Sequence, residues 1–427
     1  MEEQNKVVAE AQTATTPVNG FDKFFGITKA HGNFKKGVKT EVIAGITTFM
    51  TMVYILFVNA GMFAELDGVT YGGTYIATAL ASIIGTVLIG LLSKLPLAQS
   101  VGMGLNAFFV YTIVKFGGTG LSYANALLFV LADGIVFVIL TVTGLKKVIF
   151  NAIPEAVRKA IPAGIGLFIA LIGLQDAGLV VKDPATGVAL GSFNLLKGDW
   201  GAIMPLICTV LGVIFIAVLS QKKVRGAILW GILGTTGLYY LLGLTVPGFF
   251  DKIAFNFNIG QDFSDFWNIN LAAVFKDGFN FDGYFATPGA SVGGLILLFA
   301  TTALAFCLVD MFDTVGTLYG ACARGGLLTE SGDVPNMNKA MLADAIATCT
   351  GAVVGVSTVT TFVESSAGIA EGGKTGLTSM VTALGFLIFM FLSPIATLVP
   401  FTATATALIY VGVLMMNGVK EIDWTSP

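Results

Sequence analysis

The chain has 427 residues, of which 55% are hydrophobic and 11% charged, and its mean hydropathy is +0.84. Soluble domains carry about 25% charged residues, so this composition excludes an ordinary soluble domain and indicates a membrane protein with several spans. The net charge of -3 does not favour nucleic acid as a partner, and the single histidine, His31, excludes a multi-histidine metal site.

The first 20 residues are polar and lack the basic start and cleavage site of a secretory signal. We expect residues 1–24 to form a disordered cytoplasmic tail. His31 follows in a basic stretch, where a solvated side chain near the membrane surface is expected. The four cysteines have no CxxC spacing and are interpreted as small packing residues.

Twelve apolar segments follow, and most are about 20 residues long, enough for a helix to cross the hydrocarbon core of a bilayer. They lie near residues 38–63, 73–93, 100–115, 122–144, 154–181, 199–219, 225–246, 288–318, 338–356, 359–371, 376–394 and 396–416. The third and the tenth are short, polar and rich in glycine. These two segments are predicted to be broken helices.

The distribution of basic residues predicts the orientation of the chain. If the N-terminus is placed in the cytoplasm and the loops alternate, 18 of the 23 lysines and arginines fall on the cytoplasmic side. This asymmetry favours a multi-pass protein of the plasma (inner) membrane with a cytoplasmic N-terminus.

One long loop, residues 247–287, is expected outside the cell. It separates seven spans in residues 25–246 from five in residues 288–427, and an odd number of spans makes a second copy run in the opposite direction. The sequence therefore predicts an all-α inverted-repeat transporter, with its site near the midplane at discontinuous helices. The two broken segments occupy equivalent positions in the two halves.

The first broken segment reads Gln99-Ser-Val-Gly102-Met-Gly104-Leu-Asn106-Ala-Phe108. Glycines let the backbone approach a ligand closely, but they equally let two helices pack closely. The amide of Asn106 needs hydrogen-bond partners in an apolar setting. Asn106 is therefore a candidate binding residue, and both interpretations stay open for Gly102 and Gly104.

Three carboxylates, Asp310, Asp313 and Glu364, lie in apolar sequence, and lysines and arginines occur only near the ends of the spans. A charge at bilayer depth costs at least about 2.5 kcal/mol, so such acids indicate a substrate or ion pathway. Burial without a cation favours a neutral carboxyl, which predicts coupling to a proton, with sodium as the alternative. For two further acids within spans, Asp133 and Asp344, hydrogen bonding between helices is the expected role.

Four separated motifs stand out along the chain. They are Gly37-Val-Lys-Thr-Glu41 with the following Thr47-Thr48-Phe49 and Tyr54, then Gly102-Met-Gly-Leu-Asn106, Asp310-Met-Phe-Asp313-Thr, and Glu364-Ser-Ser-Ala-Gly368. In this order they resemble the AzgA-type purine permeases of the nucleobase-ascorbate transporter group. The resemblance implies a 7+7 inverted-repeat fold with a core and a gate domain, and uptake of hypoxanthine, guanine or adenine by proton symport through alternating access. It implies neither an enzyme nor a cofactor.

The resemblance also implies a set of site residues. Substrate contact falls on Gly104, Asn106, Asp310 and Glu364, with Asp313 close by. An acid accepts hydrogen bonds from purine N–H groups, and an amide both donates and accepts. Phe49 and Phe108 are candidates for stacking on the purine ring. The family has fourteen spans, so the last two spans are expected to be missing from this chain. The resemblance also allows a homodimer.

Three other classes remain open at this point. An anion exchanger of related architecture would bind its anion at the helix N-termini of the broken segments, where Asp310 and Glu364 would repel it. An intramembrane aspartyl protease needs two aspartates that face each other, whereas Asp310 and Asp313 share one helix. A channel is the third alternative, which saturable uptake would contradict.

Overall fold

The computed structural model describes residues 17, 19–115, 117–144, 155–184, 186–191, 193, 200–250 and 257–416. Helices dominate these residues, and two pairs of short antiparallel strands complete them. The elements before residue 250 are α1 (Gly20–Phe25), α2 (Ile27–His31), α3 (Phe34–Met52), α4 (Tyr54–Phe63), α5 (Tyr71–Leu92), β1 (Gln99–Val101), α6 (Met103–Ala107) with a π-helical continuation (Phe108–Lys115), α7 (Tyr123–Thr143), α8 (Glu155–Asp176), β2 (Val180–Asp183), β3 (Gly187–Leu190), α9 (Trp200–Gln221) and α10 (Ala227–Gly243).

The second part of the chain repeats the pattern of long helices and one broken segment. Its elements are α11 (Ile259–Asp265) with a π-helical turn (Phe266–Asn270), α12 (Ala273–Lys276), α13 (Asp282–Phe285), α14 (Val292–Arg324), α15 (Met337–Val354), β4 (Val359–Thr361), α16 (Ser365–Ala370), α17 (Gly376–Met390), α18 (Ser393–Ala396) and α19 (Phe401–Met416). Polar residues begin several of these helices, as where Ser291 accepts a hydrogen bond from the backbone N–H of Gly294 at the start of α14.

The long helices pack as two bundles. In the first, α3 and α5 pack against α17, while α7 and α5 pack against α15, with α14 alongside α7. In the second, α8, α9 and α10 surround α19. The bundles touch where α6 meets α8 and where α4 meets α19. Both broken segments, β1–α6 and β4–α16, belong to the first bundle.

Each of the twelve apolar segments found in the sequence overlaps a described helix or a strand followed by a helix. Five described helical segments are long and apolar enough to cross a membrane. They are Phe34–Phe63, Tyr71–Leu92, Tyr123–Thr143, Trp200–Gln221 and Val292–Arg324. Shorter apolar helices accompany them, among them Gly376–Met390 and Phe401–Met416.

Two regions expected to be irregular contain helices. Of the predicted disordered tail, residues 1–16 and 18 lie outside the described residues, and the described end forms α1, which begins at the cap residue Asn19. Of the predicted loop over residues 247–287, residues 251–256 lie outside the described ones. Its remainder contains α11 to α13, of which α11 packs on α5 and α12 packs on α7 and α15. Residues 417–427, the end of the second repeat, are also outside the described residues.

Candidate functional site

The two broken segments meet through their strands. β1 and β4 pair antiparallel, with Gln99 opposite Thr361 and Val101 opposite Val359. The backbone N–H of Gly102 adds a hydrogen bond of 2.9 Å to the carbonyl oxygen of Thr358. We call the unit of β1–α6 and β4–α16 the crossing. Pairing of its two strands supplies hydrogen-bond partners to backbone groups that lipid could not satisfy. Non-helical backbone is therefore tolerated within a membrane-spanning bundle.

Hydroxyl groups of α5 fix β1 in place. Thr86 Oγ1 accepts a hydrogen bond from the backbone N–H of Gln99 at 3.0 Å and donates one to its carbonyl oxygen at 2.9 Å. Ser82 and Ser100 lie 2.6 Å apart through their hydroxyl oxygens. All of these residues are buried. These hydrogen bonds anchor the crossing to α5 within the first bundle.

Asp310 lies on α14, which contacts β4, α6 and α16 of the crossing. Its side chain is fully buried, and its Oδ2 accepts a hydrogen bond of 3.0 Å from Thr348 on α15. Its Oδ1 is buried and has no hydrogen-bond partner among the described residues. Asp310 thus keeps one carboxylate oxygen unpaired.

Asp313 and Glu364 are less deeply buried than Asp310. Asp313 accepts a hydrogen bond of 3.3 Å from Thr360 on β4. Glu364, which directly precedes α16, accepts one of 2.8 Å from the hydroxyl of Tyr54 on α4. The three acids named from the sequence therefore come from α14 and from the turn between β4 and α16.

Asn106 occupies the third position of the site, on α6. Its side chain is fully buried, and neither its amide nitrogen nor its amide oxygen has a hydrogen-bond partner among the described residues. Two residues earlier on the same helix, Gly104 lies at the contact with α8, where an added Cβ would collide with Ile165. The packing interpretation of Gly104 therefore has direct support, and its contact with substrate stays a prediction.

The two candidate stacking residues have different neighbours. Phe108 makes an edge contact with Phe306 of α14, with ring centroids 5.3 Å apart, so it lies beside the helix that carries Asp310. Phe49 is buried between α3 and α17, where its ring centroid lies 5.4 Å from that of Phe386 and 4.8 Å from that of Phe389. The structure brings Phe108 to α14 and packs Phe49 within the first bundle.

Asp344 on α15 has the role expected of it. Its Oδ1 accepts hydrogen bonds from Gln99 at 2.7 Å and from Thr361 at 3.1 Å, and its Oδ2 accepts one from Thr314 at 2.7 Å. It therefore joins both strands of the crossing to α14. Asp133 differs, because no nitrogen or oxygen of the described residues donates a hydrogen bond to its carboxylate. Its interhelical hydrogen-bond partner is instead the thiol of Cys307 on α14, which is a weak donor.

The site is acidic and has no paired cation among the described residues. The described ion pairs join His31 to Glu41, Lys115 to Glu65 and Arg225 to Glu371. None of them involves Asp310, Asp313 or Glu364. Carboxylates at this depth without a cation cannot all carry charge, so the site suits a ligand that brings donors or a proton.

Three residues around these acids are not singled out as site residues by the sequence. Tyr54 and Thr348 donate to Glu364 and Asp310, and Gln99 donates to Asp344. Tyr54 lies within the first of the four motifs, which is a signal that could have identified it. Thr348 carries no such signal, because a threonine in an apolar helix commonly bonds its own backbone.

The two bundles, the paired broken segments and the buried acids define a membrane transporter of the inverted-repeat class. The solved transmembrane domain of the cyanobacterial bicarbonate transporter BicA has this fold, with a TM-score of 0.62 over 91% of this chain and 90% of that one. Sequence identity is 14%, so this likeness concerns the fold alone.

The sequence narrows the class to one family. Residues 39–426 match the Permease family, Xan_ur_permease, and the chain belongs to it. A putative permease of Methanocaldococcus jannaschii is 39% identical over 94% of this chain and 84% of its own. The guanine/hypoxanthine permease PbuO of Bacillus subtilis is 37% identical over 91% and 83%, and the adenine permease AdeP of Escherichia coli is 36% identical over 90% and 79%. The predicted resemblance is confirmed, and the chain is a multi-pass membrane permease, not an enzyme.

Proposed function

We propose that this chain imports purine nucleobases (hypoxanthine, guanine or adenine) across the plasma membrane by proton symport and alternating access, with its N-terminus in the cytoplasm. The relatives named for guanine, hypoxanthine and adenine support the substrate class. The proposed contacts are the residues named from the sequence. They are Gly104, Asn106, Asp310, Asp313 and Glu364.

The unpaired amide of Asn106 is the observation that carries this proposal. Burying an amide without partners costs about 1–3 kcal/mol, so the bare protein is destabilised by this side chain. A purine offers ring nitrogens as acceptors and N–H groups as donors, and an amide can pair with both at once. The open Oδ1 of Asp310 accepts from a further N–H group. The ligand thus satisfies polar atoms that the protein leaves unpaired.

The acidic character of the site favours this class over an anion transporter. Asp310, Asp313 and Glu364 have no cationic partner among the described residues, and an anion would add charge of the same sign. A neutral base avoids that repulsion. A proton carried with it neutralises one of the acids, which is the physical basis of the proposed symport.

The test is uptake of radiolabelled hypoxanthine at several external pH values, with and without an uncoupler, in cells carrying the wild type or Glu364→Gln. Glutamine keeps the volume and can still accept from Tyr54, but it cannot carry charge. Because hydrogen bonds to charged groups contribute about 1.5–3 kcal/mol, we expect uptake to fall at least about tenfold. The matched control is Glu330→Gln, at an exposed glutamate.

The result that supports the proposal is uptake that saturates, falls with the uncoupler, is lost in Glu364→Gln and persists in Glu330→Gln. Normal uptake by Glu364→Gln would remove this acid from the site. Competition by sulfate or bicarbonate, but not by guanine, would instead favour an anion transporter.

A further inference from the structure

Asp133 lies in the middle of α7 and is fully buried, yet its carboxylate lacks nitrogen and oxygen donors within the described chain. α7 packs against α14 and α15. It approaches α15 so closely that a Cβ on Gly134 would collide with Cys349. Its hydrogen-bond donor is the thiol of Cys307 on α14, and a thiol is a weak donor that compensates the burial of a carboxylate poorly. Packing alone therefore does not account for it.

The titratable groups that face Asp133 are acids and thiols. From α14 these are Cys307 and Asp310, and from α15 they are Asp344 and Cys349. Cys307 precedes Asp310 by one helical turn and faces both Asp310 and Asp133. Asp133 thus lies behind the candidate site, within electrostatic range of its central acid.

The three carboxyls of this cluster differ in the donors that surround them. Asp344 accepts three hydrogen bonds, which stabilise a negative charge. Asp310 accepts one hydrogen bond from Thr348 and has an open oxygen. Asp133 accepts none from nitrogen or oxygen of the described residues. The charge is therefore held best on Asp344 and a proton on Asp133, with Asp310 between these two extremes.

We propose that Asp133 holds the coupled proton behind the purine site and exchanges it with Asp310 as the purine binds and leaves. This inference rests on the proposed function. With the purine bound, Asp310 is a carboxylate that accepts a purine N–H, and its charge is tolerated because Asp133 is neutral. When the purine leaves, the O–H bond of Asp133 breaks and one forms on Asp310. Asp310 then releases that proton into the vacated site on the cytoplasmic side. Before the next purine binds from outside, Asp310 takes up an external proton and passes it to Asp133, which restores the starting state, so one proton moves with each purine.

The test uses the full chain, purified and reconstituted in liposomes, as wild type and Asp133→Asn. Asparagine keeps the shape of the side chain but cannot release a proton. We expect hypoxanthine to bind Asp133→Asn with an affinity within about twofold of the wild type. A gradient of one pH unit should drive about tenfold accumulation by the wild type and none beyond equilibration by Asp133→Asn. Exchange of labelled for unlabelled hypoxanthine should persist in both.

The matched control is Thr141→Val on the same helix. Thr141 is also buried, and its hydroxyl has no partner among the described residues, but it is not part of the acid cluster. This variant should accumulate hypoxanthine as the wild type does.

A second readout is the infrared band of a protonated carboxylic acid, which should be present in the wild type and should change when hypoxanthine binds.

The possible outcomes distinguish a failure of the proposed function from a failure of the role assigned to Asp133. If the wild type binds no hypoxanthine, the proposed function fails and this inference falls with it. If the wild type and Asp133→Asn accumulate hypoxanthine equally, only the role of Asp133 is overturned. Should Asp133→Asn fail to insert, Asp133→Glu, which keeps a titratable group, must retain accumulation. A wild type without the protonated-carboxyl band at the pH of uptake would also overturn the assignment.

Discussion

At the scale of single residues, two buried asparagines separate binding from stability. Asn106 has no hydrogen-bond partner for either side-chain atom among the described residues, whereas Asn59 on α4 donates to Thr78 at 2.6 Å. Both side chains are fully buried. The two side chains carry the same amide group in different environments, so the effects of their alanine substitutions on binding and on stability can be compared directly.

We expect Asn106→Ala to weaken purine binding by about 5- to 150-fold, because one lost partner of a buried polar ligand costs about 1–3 kcal/mol. Thermal stability of the unliganded protein should not fall, since the amide makes no internal hydrogen bond to lose. Asn59→Ala should show the reverse, with lower stability and unchanged affinity. Isothermal titration with hypoxanthine and thermal unfolding in detergent measure both; equal affinity of Asn106→Ala would make that amide structural.

A charged residue within a hydrophobic segment is visible in a single sequence. For this reason Asp310, Asp313 and Glu364 could be predicted as site residues without the structure. Their hydrogen-bond partners could not be predicted, because Thr348 and Tyr54 come close to them only in the folded bundle.

His31 was expected to be solvated, and that prediction is wrong. Its Nε2 lies 2.7 Å from Oε1 of Glu41, which is fully buried.

At the scale of elements, that same glutamate joins α3 to the start of α17. Its carboxylate accepts hydrogen bonds from the backbone N–H groups of Lys374 at 3.0 Å, Thr375 at 3.1 Å and Thr378 at 3.2 Å. The hydroxyl of Thr378 adds one at 2.5 Å. These are N–H groups at a helix start, which have no partner within the helix and where negative charge is favourable.

Glu41→Ala should therefore lower stability strongly, because it leaves several buried donors unpaired at about 1–3 kcal/mol each. His31→Ala removes one contact at the edge of the same group and should lower stability much less. The midpoint of thermal unfolding in detergent compares the two variants. A smaller decrease for Glu41→Ala than for His31→Ala would contradict the proposed joint between α3 and α17.

Hydrophobic segments and broken helices could be predicted from the sequence, because both follow from local composition. The pairing of β1 with β4 could not, since three-residue strands more than 250 positions apart leave no local pattern. The short helices α11 to α13 were also missed. Their stretch is rich in Phe, Asn and Asp, which is typical of loops, and α11 and α12 are stabilised by packing on α5, α7 and α15.

At the scale of the whole molecule, an ion pair joins the two bundles. Arg225 lies two residues before α10 of the second bundle, and its guanidinium donates a hydrogen bond of 2.6 Å to the carboxylate of Glu371, which follows α16 of the first. Both side chains are partly exposed, at 56% and 26%. A surface pair of this kind contributes about 0–1 kcal/mol, so its removal alone should change little. Its position is informative because the alternating access proposed above requires the bundles to move relative to each other.

Bridging this pair covalently tests that movement. We expect the double variant Arg225→Cys/Glu371→Cys, treated with a short bifunctional methanethiosulfonate reagent, to lose hypoxanthine uptake and regain it on reduction. Binding to the purified protein should persist, because the crossing lies entirely within the first bundle. The matched control is Glu65→Cys/Lys115→Cys, an ion pair within the first bundle, whose bridging should leave uptake unchanged. The wild type treated with the same reagent reports any reaction of its four native cysteines, three of which are buried. Uptake that continues through the bridged Arg225–Glu371 pair would mean that transport does not require the bundles to separate there.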